Sequence, residues 1–278
     1  MARRYYSVRT GKHPHGTNVP LPVLASLLHS TYGQLVEAGY FQEYFGYSCV
    51  DAGDVAGKLG GDIAAALLFH LRRDSLWPFP EKFAGLSEDE LFDLVEFLHD
   101  HVSKPVDGYH HTYAQCGWHY DTFDPKTGQA EYRERVNLLL ESYKDGFEIS
   151  EQGEIRELPQ PGTAPLLAAS LPSPDVNVTT RVESAIAKFR RYRSTAAERR
   201  DAIRDLADVL EYLRPQLKLV LAKPDEADLF NIANNFAIRH HNPKQRSDYD
   251  GSIWLSWMFY FYLATIHAAM RMLQKKVP

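Results

Sequence analysis

A chain of 278 residues, 24% charged and 44% hydrophobic, has the balance of a folded protein long enough for two cores, which excludes a disordered chain. Its formal net charge of -5 argues against a protein that coats nucleic acid non-specifically, while leaving room for a local basic face. The only two cysteines, Cys49 and Cys116, exclude a disulfide framework and an all-cysteine metal site, and Met1-Ala2-Arg3-Arg4-Tyr5-Tyr6-Ser7 lacks the apolar stretch of a secretory signal, so a reducing, cytoplasmic setting is expected.

Apolar residues at helical spacing predict helices over Leu21 to Tyr40 and over Asp62 to Leu71. Between them, Tyr40-Phe41-Gln42-Glu43-Tyr44-Phe45-Gly46-Tyr47 reads as a packing or partner surface. Gly53-Asp54-Val55-Ala56-Gly57-Lys58-Leu59 is not a phosphate-binding loop, being one residue short between the glycines and carrying Leu59 where a magnesium-binding hydroxyl belongs. Ser87-Glu88-Asp89-Glu90 has the form of a capping box, opening a helix with Leu91, Leu94, Val95 and Leu98 on its apolar face. Glu131 to Tyr143 predicts another helix. Gly146-Phe147-Glu148-Ile149 and Gly153-Glu154-Ile155-Arg156-Glu157-Leu158 then alternate about a glycine-containing turn, as a small hairpin does. Residues 1–158 are thus expected to form a mostly helical α+β domain with a terminal hairpin.

Pro159, Pro161, Pro165, Pro172 and Pro174 mark residues 159–178 as a linker unable to hold a helix or a central strand. From 179 to 278 the pattern is helical throughout. A helix from about Arg181 to Arg193 presents Val182, Ile186 and Phe189 on one face. Thr195 and Glu198 cap the next, whose stripe is Ile203, Leu206, Leu210 and Leu213, with Pro215 expected to kink or end it. A third runs from near Pro224 to His241, because Pro243 disfavours helical geometry at Asn242, and a fourth from about Ser252 to Leu273. Ser256, Thr265, His267 and Arg271 interrupt the last one, so a buried bundle helix rather than a membrane span is expected. Four helices with short connections predict a four-helix bundle.

On the third helix, Leu229, Ile232, Ala233, Phe236 and His240 follow a core-facing stripe, while Asn231, Asn235, Arg239 and Asn242 share another face. A guanidinium at the end of that amide ladder can grip a phosphate bidentately, and His240 and His241 beside it can move protons near neutral pH. The alternative is that Arg239 and the histidines cap the helix carbonyls and pair with Asp248 or Asp250. Lys188, Arg190, Arg191, Arg193, Arg199, Arg200 and Arg204 form a basic run, but Asp201, Asp205, Asp208 and Glu211 follow closely, and pairs such as Arg204 with Asp208 neutralise part of its field. In the first half, His99, His101, His110, His111, Cys116 and His119, with Asp100, Asp107 and Asp121, are dense in metal-capable groups. They show no recognised ligand spacing, and the neighbouring Tyr109, Tyr113, Trp118 and Tyr120 suggest a packed or recognition surface, so no metal or other cofactor is assigned.

The run Asn234-Asn235-Phe236-Ala237-Ile238-Arg239-His240-His241, the Asp248-Tyr249-Asp250 after it and the aromatic last helix ending in Ala264-Thr265-Ile266-His267 resemble a HEPN domain, specifically the C-terminal domain of AbiJ-like abortive-infection proteins of bacteria. Glu96 to Pro105 and the hairpin after Val136-Asn137-Leu138-Leu139 resemble, more loosely, the accessory domain that precedes it in those proteins. The resemblance implies a dimerising four-helix bundle and metal-independent RNA cleavage, with Arg239, His240 and His241 as the candidate catalytic residues; Asn235, Asn242, Lys244 and Arg246 near them, and Arg190 and Arg191 of the basic run, are the candidate contacts to RNA, tRNA included. It also implies toxin–antitoxin or phage-defence biology. The family's motif spaces Arg and His by four to six residues, and Lys244, Gln245 and Arg246 stand there in this chain, so only His240 and His241 can substitute. The rival expectations are a non-catalytic sensor or antitoxin-like bundle, and a metal-dependent hydrolase centred on His99 to Asp121. A protein partner is expected for the N-terminal domain; Trp254, Trp257, Phe259, Tyr260, Phe261 and Tyr262, too many for one small core, point to a homodimer through the bundle.

Overall fold

The computed structural model describes residues 5–12, 18–73, 76–79, 83–160, 162–219, 221, 230 and 251–276, and the chain divides into two compact units, Met1–Leu158 and Pro159–Pro278. The described structure is mainly helical with small antiparallel strand pairs.

In the first unit a short α1 (Tyr6–Arg9) precedes α2 (Leu21–Glu37), which starts on a proline in its first turn and buries Leu24, Ala25, Leu28, Tyr32 and Leu35. After α3 (Gln42–Phe45), the chain makes a hairpin of β1 (Tyr47–Cys49) and β2 (Gly53–Val55). Gly46 permits that hairpin: its φ is +78°, and a Cβ there would lie 1.9 Å from the Val55 carbonyl oxygen. Asp62 caps α4 (Ile63–Leu71) by accepting from the Ala65 N–H. At the start of α5 (Glu88–Asp100) the expected capping box is complete. The Glu90 N–H donates to Ser87 Oγ at 3.3 Å and the Ser87 N–H to Glu90 Oε2 at 2.8 Å.

The strand component is minor, as expected, but the sequence pattern did not place its largest part, the segment that follows α5. It forms the longest hairpin described, β3 (Lys104–His111) with β4 (Gly117–Asp124), in register from Lys104↔Asp124 to His111↔Gly117 with a bulge at Asp107. Few of its side chains are buried, so the alternation that betrays a half-buried strand is missing from the sequence. Next, α6 (Pro125–Leu140) begins six residues before the expected Glu131, because Asp124 accepts from the Thr127 N–H and Pro125 sits in the first turn, where its missing N–H costs nothing. From α6, Tyr132 donates to the Val95 carbonyl at 3.0 Å, and Asn137 brackets the Ile149 backbone with bonds of 2.7 and 3.3 Å. Burial pushes the Tyr132 phenol far above its ordinary pKa, so it stays a donor at every physiological pH. The expected terminal hairpin is present as β5 (Phe147–Ile149) and β6 (Ile155–Glu157).

In the second unit, the proline segment expected to exclude helix contains a short one, α7 (Ala164–Ala168), with its proline in the first turn. Asp175 caps α8 (Val176–Arg190), so that helix starts five residues earlier than the expected Arg181. Thr195 and Glu198 close a second full capping box on α9 (Ala196–Leu217), which runs through Pro215 and ends within a turn of it. The last helix, α10 (Gly251–Lys276), is long and apolar enough in Ile253–Lys275 to cross a membrane, but 56% of its most apolar window is buried in the protein, which is how a bundle's core helix reads. One core unites the three: Val182, Ala185 and Phe189 from α8, Ile203, Leu206, Leu210 and Leu213 from α9, and Met258, Phe259, Tyr262 and Ile266 from α10. The Phe189 and Phe259 rings stack at 3.9 Å in its centre. The expected third helix, Pro224 to His241, lies outside the described residues apart from Phe230, which is buried in this core.

Phe259→Ala should lower the stability of the second unit by about 3–5 kcal/mol, and Thr195→Ala, which removes only the cap, by ~1 kcal/mol. Both are read from the midpoint of the unit's unfolding transition in urea.

Candidate functional site

Of the residues expected to act on RNA, Arg239, His240, His241, Asn235, Asn242, Lys244 and Arg246 lie outside the described residues. Arg190, the last residue of α8, and Arg191, which follows it, are described, and neither is a free cation. Other members of the basic run are engaged too: Lys188 pairs with Asp205 at 2.5 Å and Arg204 with Asp201 at 2.5 Å, and farther along α9 Arg214 pairs with Glu211 at 3.3 Å. The guanidinium of Arg199 lies over the Phe189 ring, that of Arg193 over Tyr192 and that of Arg214 over Phe230, the last at 4.3 Å. A phosphate approaching this face competes with carboxylates already in place, which weakens the field that the basic run promises.

His267, in the Ala264-Thr265-Ile266-His267 stretch of α10, is 5% exposed, and its Nδ1 has no hydrogen-bond partner among the described residues. Burial, and then the nearby Arg271 cation, push its pKa down, so the ring is neutral at pH 7 and can accept a proton. The sequence signal for it is a lone histidine inside an otherwise apolar helical stripe.

In the first unit the structure sorts the dense histidine stretch into packed and convergent members. His99 is buried, with its Nε2 3.3 Å from Arg133 Nη1 and its Nδ1 3.4 Å from Asp100 Oδ1. His101 has Nδ1 2.6 Å from the Phe97 carbonyl and its ring packed on Phe97, and its burial lowers its pKa. His110 packs edge-on against Trp118. Asp107 accepts from the Gly108 N–H, and Asp121 from the Thr122 hydroxyl. The remaining three, His111, Cys116 and His119, meet Cys49 from the β1–β2 hairpin, with one ligand-capable atom from each of the four lying within 4.8 Å of the others. Sequence reasoning missed Cys49 because it stands 62 residues before His111, in another hairpin.

Comparison of the chain with protein-family models, with curated proteins and with solved structures gives no match.

Because the folded-state pKa of His267 is depressed, the native state binds fewer protons than the unfolded state as pH falls below about 6.5. The stability that comes from keeping the ring neutral is therefore complete above that pH and is lost as pH drops towards the folded pKa. Unfolding of the second unit followed between pH 8 and pH 5 should show stability falling on the acid side, and His267→Phe should flatten that slope.

Proposed function

We propose that this chain is a bacterial phage-defence protein of the abortive-infection type, whose C-terminal half is a HEPN-like four-helix bundle that binds or cleaves RNA without a metal. The observation that carries the reading is the place of Arg239-His240-His241 in the chain. The run lies nine residues before α10, the helix that supplies Met258, Phe259, Tyr262 and Ile266 to the common core of the second unit. The segment from Pro224 to His241, helical by its sequence pattern, is the fourth member of the proposed bundle.

In the proposed reaction the ribose 2′-hydroxyl attacks the adjacent phosphorus. The 2′-oxygen–phosphorus bond forms as the bond to the 5′-oxygen breaks, leaving a 2′,3′-cyclic phosphate and a free 5′-hydroxyl. One imidazole of the His240–His241 pair takes the proton from the 2′-hydroxyl, and the other, as imidazolium, gives one to the leaving 5′-oxygen. Arg239 stabilises the charge that grows on the phosphoryl oxygens, and Asn235 orients the pair. Asn242, Lys244, Arg246, Arg190 and Arg191 contact the RNA backbone. Exposed Ile253, Trp254 and Trp257 favour a homodimer through the bundle, with a mass of two chains in light scattering at micromolar concentration.

A second reading is a non-catalytic, partner-binding bundle. The observation that favours it is the pairing of Lys188, Arg204 and Arg214 with carboxylates of the same unit.

The deciding experiment incubates total RNA and tRNA with the purified chain in EDTA, beside Arg239→Ala and His240→Ala variants, with a thermal melt of each sample to show that it is folded. Cleavage that falls at least 100-fold in both variants, in line with the loss of a positioned acid–base or charge-stabilising group, supports the nuclease. If no folded form cleaves, the partner-binding reading replaces it.

A further inference from the structure

We propose that Cys49, His111, Cys116 and His119 are the four ligands of a structural Zn²⁺ that pins the β1–β2 hairpin to the β3–β4 hairpin. Zinc bonds to thiolate sulfur at ~2.3 Å and to imidazole nitrogen at ~2.0–2.1 Å, so neighbouring donors of a tetrahedral site stand ~3.3–3.8 Å apart. Here Cys49 Sγ is 3.6 Å from His111 Nδ1 and Cys116 Sγ is 3.2 Å from His119 Nε2, and all four donors fall within 4.8 Å of one another. Two opposite edges of a tetrahedron are thus close to their final length. His111 offers Nδ1 and His119 Nε2, and their rings, with centroids 5.8 Å apart at 49°, do not stack on each other.

The surroundings are those of a metal–ligand set rather than of two isolated thiol–imidazole pairs. Asp51 Oδ2 lies 3.2 Å from His111 Nε2, the ring nitrogen turned away from the cluster, so the carboxylate holds the ring in the tautomer whose Nδ1 is a free ligand. His119 is 2% exposed and is oriented by the Tyr47 ring stacked on it at 4.2 Å and by Tyr109 at 5.2 Å. Gly108 lets the strands close here, since a Cβ on it would lie 2.2 Å from the His119 carbonyl oxygen.

The backbone between the strands brings Cys116 round to the other three. Ala114 and Gln115 both take left-handed φ values, +49° and +60°, and Cys116 donates its N–H to the Tyr113 carbonyl before Gly117 starts β4. Two sulfurs and two imidazole nitrogens in a tetrahedral arrangement select zinc among the common divalent metals. Four protein ligands leave no open position for water or substrate, so the role is structural. The pattern is Cys49, then His111-x4-Cys116-x2-His119, and its first ligand comes from a separate hairpin. This revises the expectation of no metal, which rested on the lack of a recognised ligand spacing.

The test is metal analysis of the whole chain, purified with its affinity tag removed. About one zinc per chain is expected, the stoichiometry of one closed site. His110→Ala, next to the set but outside it, should keep it, and Cys49→Ser with Cys116→Ser should fall below about a tenth of that. Asp51→Asn should weaken zinc affinity ~10- to 100-fold, as loss of a carboxylate behind a metal-bound histidine does. Should the double variant fail to fold, cobalt substituted into the unaltered chain decides the matter, with intense tetrahedral ligand-field bands and thiolate-to-cobalt charge transfer expected. The proposal is overturned by zinc below about a tenth per chain after growth with added zinc, by a Cys49–Cys116 disulfide in the purified protein, by zinc retained in the double variant, or by an octahedral cobalt spectrum without thiolate bands.

Discussion

The first unit depends on fastening short hairpins to a helical core that they do little to build. Strands of three residues, as in β1 and β2, bury too little to be stable alone, and in β3 and β4 only His119 is buried. Fixed polar contacts do the work instead. Gln42 of α3 bridges β4, donating to the Trp118 carbonyl at 2.9 Å and accepting from the Tyr120 N–H at 3.0 Å. At the other end of the hairpin, Lys104 pairs with Glu131 of α6 at 2.6 Å, and Tyr40 donates to the same carboxylate. The meeting of Cys49 with His111, Cys116 and His119 is the third fastening, and it joins one hairpin to the other.

What was legible in the sequence follows from how local each signal is. The capping boxes at Ser87 and Thr195 are complete within four residues, and both helices start where those residues place them. The stripe Ile203, Leu206, Leu210 and Leu213 is local too, and all four are buried. Proline is a weaker barrier to helix than composition suggests: in a first turn it is compatible with α7 inside 159–178, and Asp124-Pro125 marks the start of α6 better than the first apolar repeat does.

The β3–β4 hairpin and the cysteine–histidine cluster were illegible for a different reason. Strands that bury almost no side chain on either face have no reason to alternate, so β3 and β4 carry no periodic trace. Which of the ligand-capable residues from His99 to Asp121 converge is decided by pairing register. Tyr109↔His119 and His111↔Gly117 set His111 and His119 near each other, whereas His110 belongs to a pair with Trp118. Cys49 enters through tertiary packing alone.

The proposed zinc and the proposed nuclease make opposite demands on a chelator, and they belong to different units of the chain. A closed set of four protein ligands contributes folding free energy and offers no coordination position to a phosphate, so removing the metal weakens the first unit without touching the phosphodiester chemistry. Loss of RNA cleavage in EDTA would therefore not by itself make the metal catalytic. Activity that returns when inert, tightly bound zinc alone is restored, with the melt of the first unit returning in parallel, is the behaviour of a structural ion. A catalytic ion would instead restore the rate in proportion to its own Lewis acidity, with the melt unchanged. The same logic explains why the cluster and the Arg239-His240-His241 run can coexist in one protein. As proposed, one of them would fix a fold that short strands cannot fix alone, and the other would use protons and a guanidinium, groups that need no metal at pH 7.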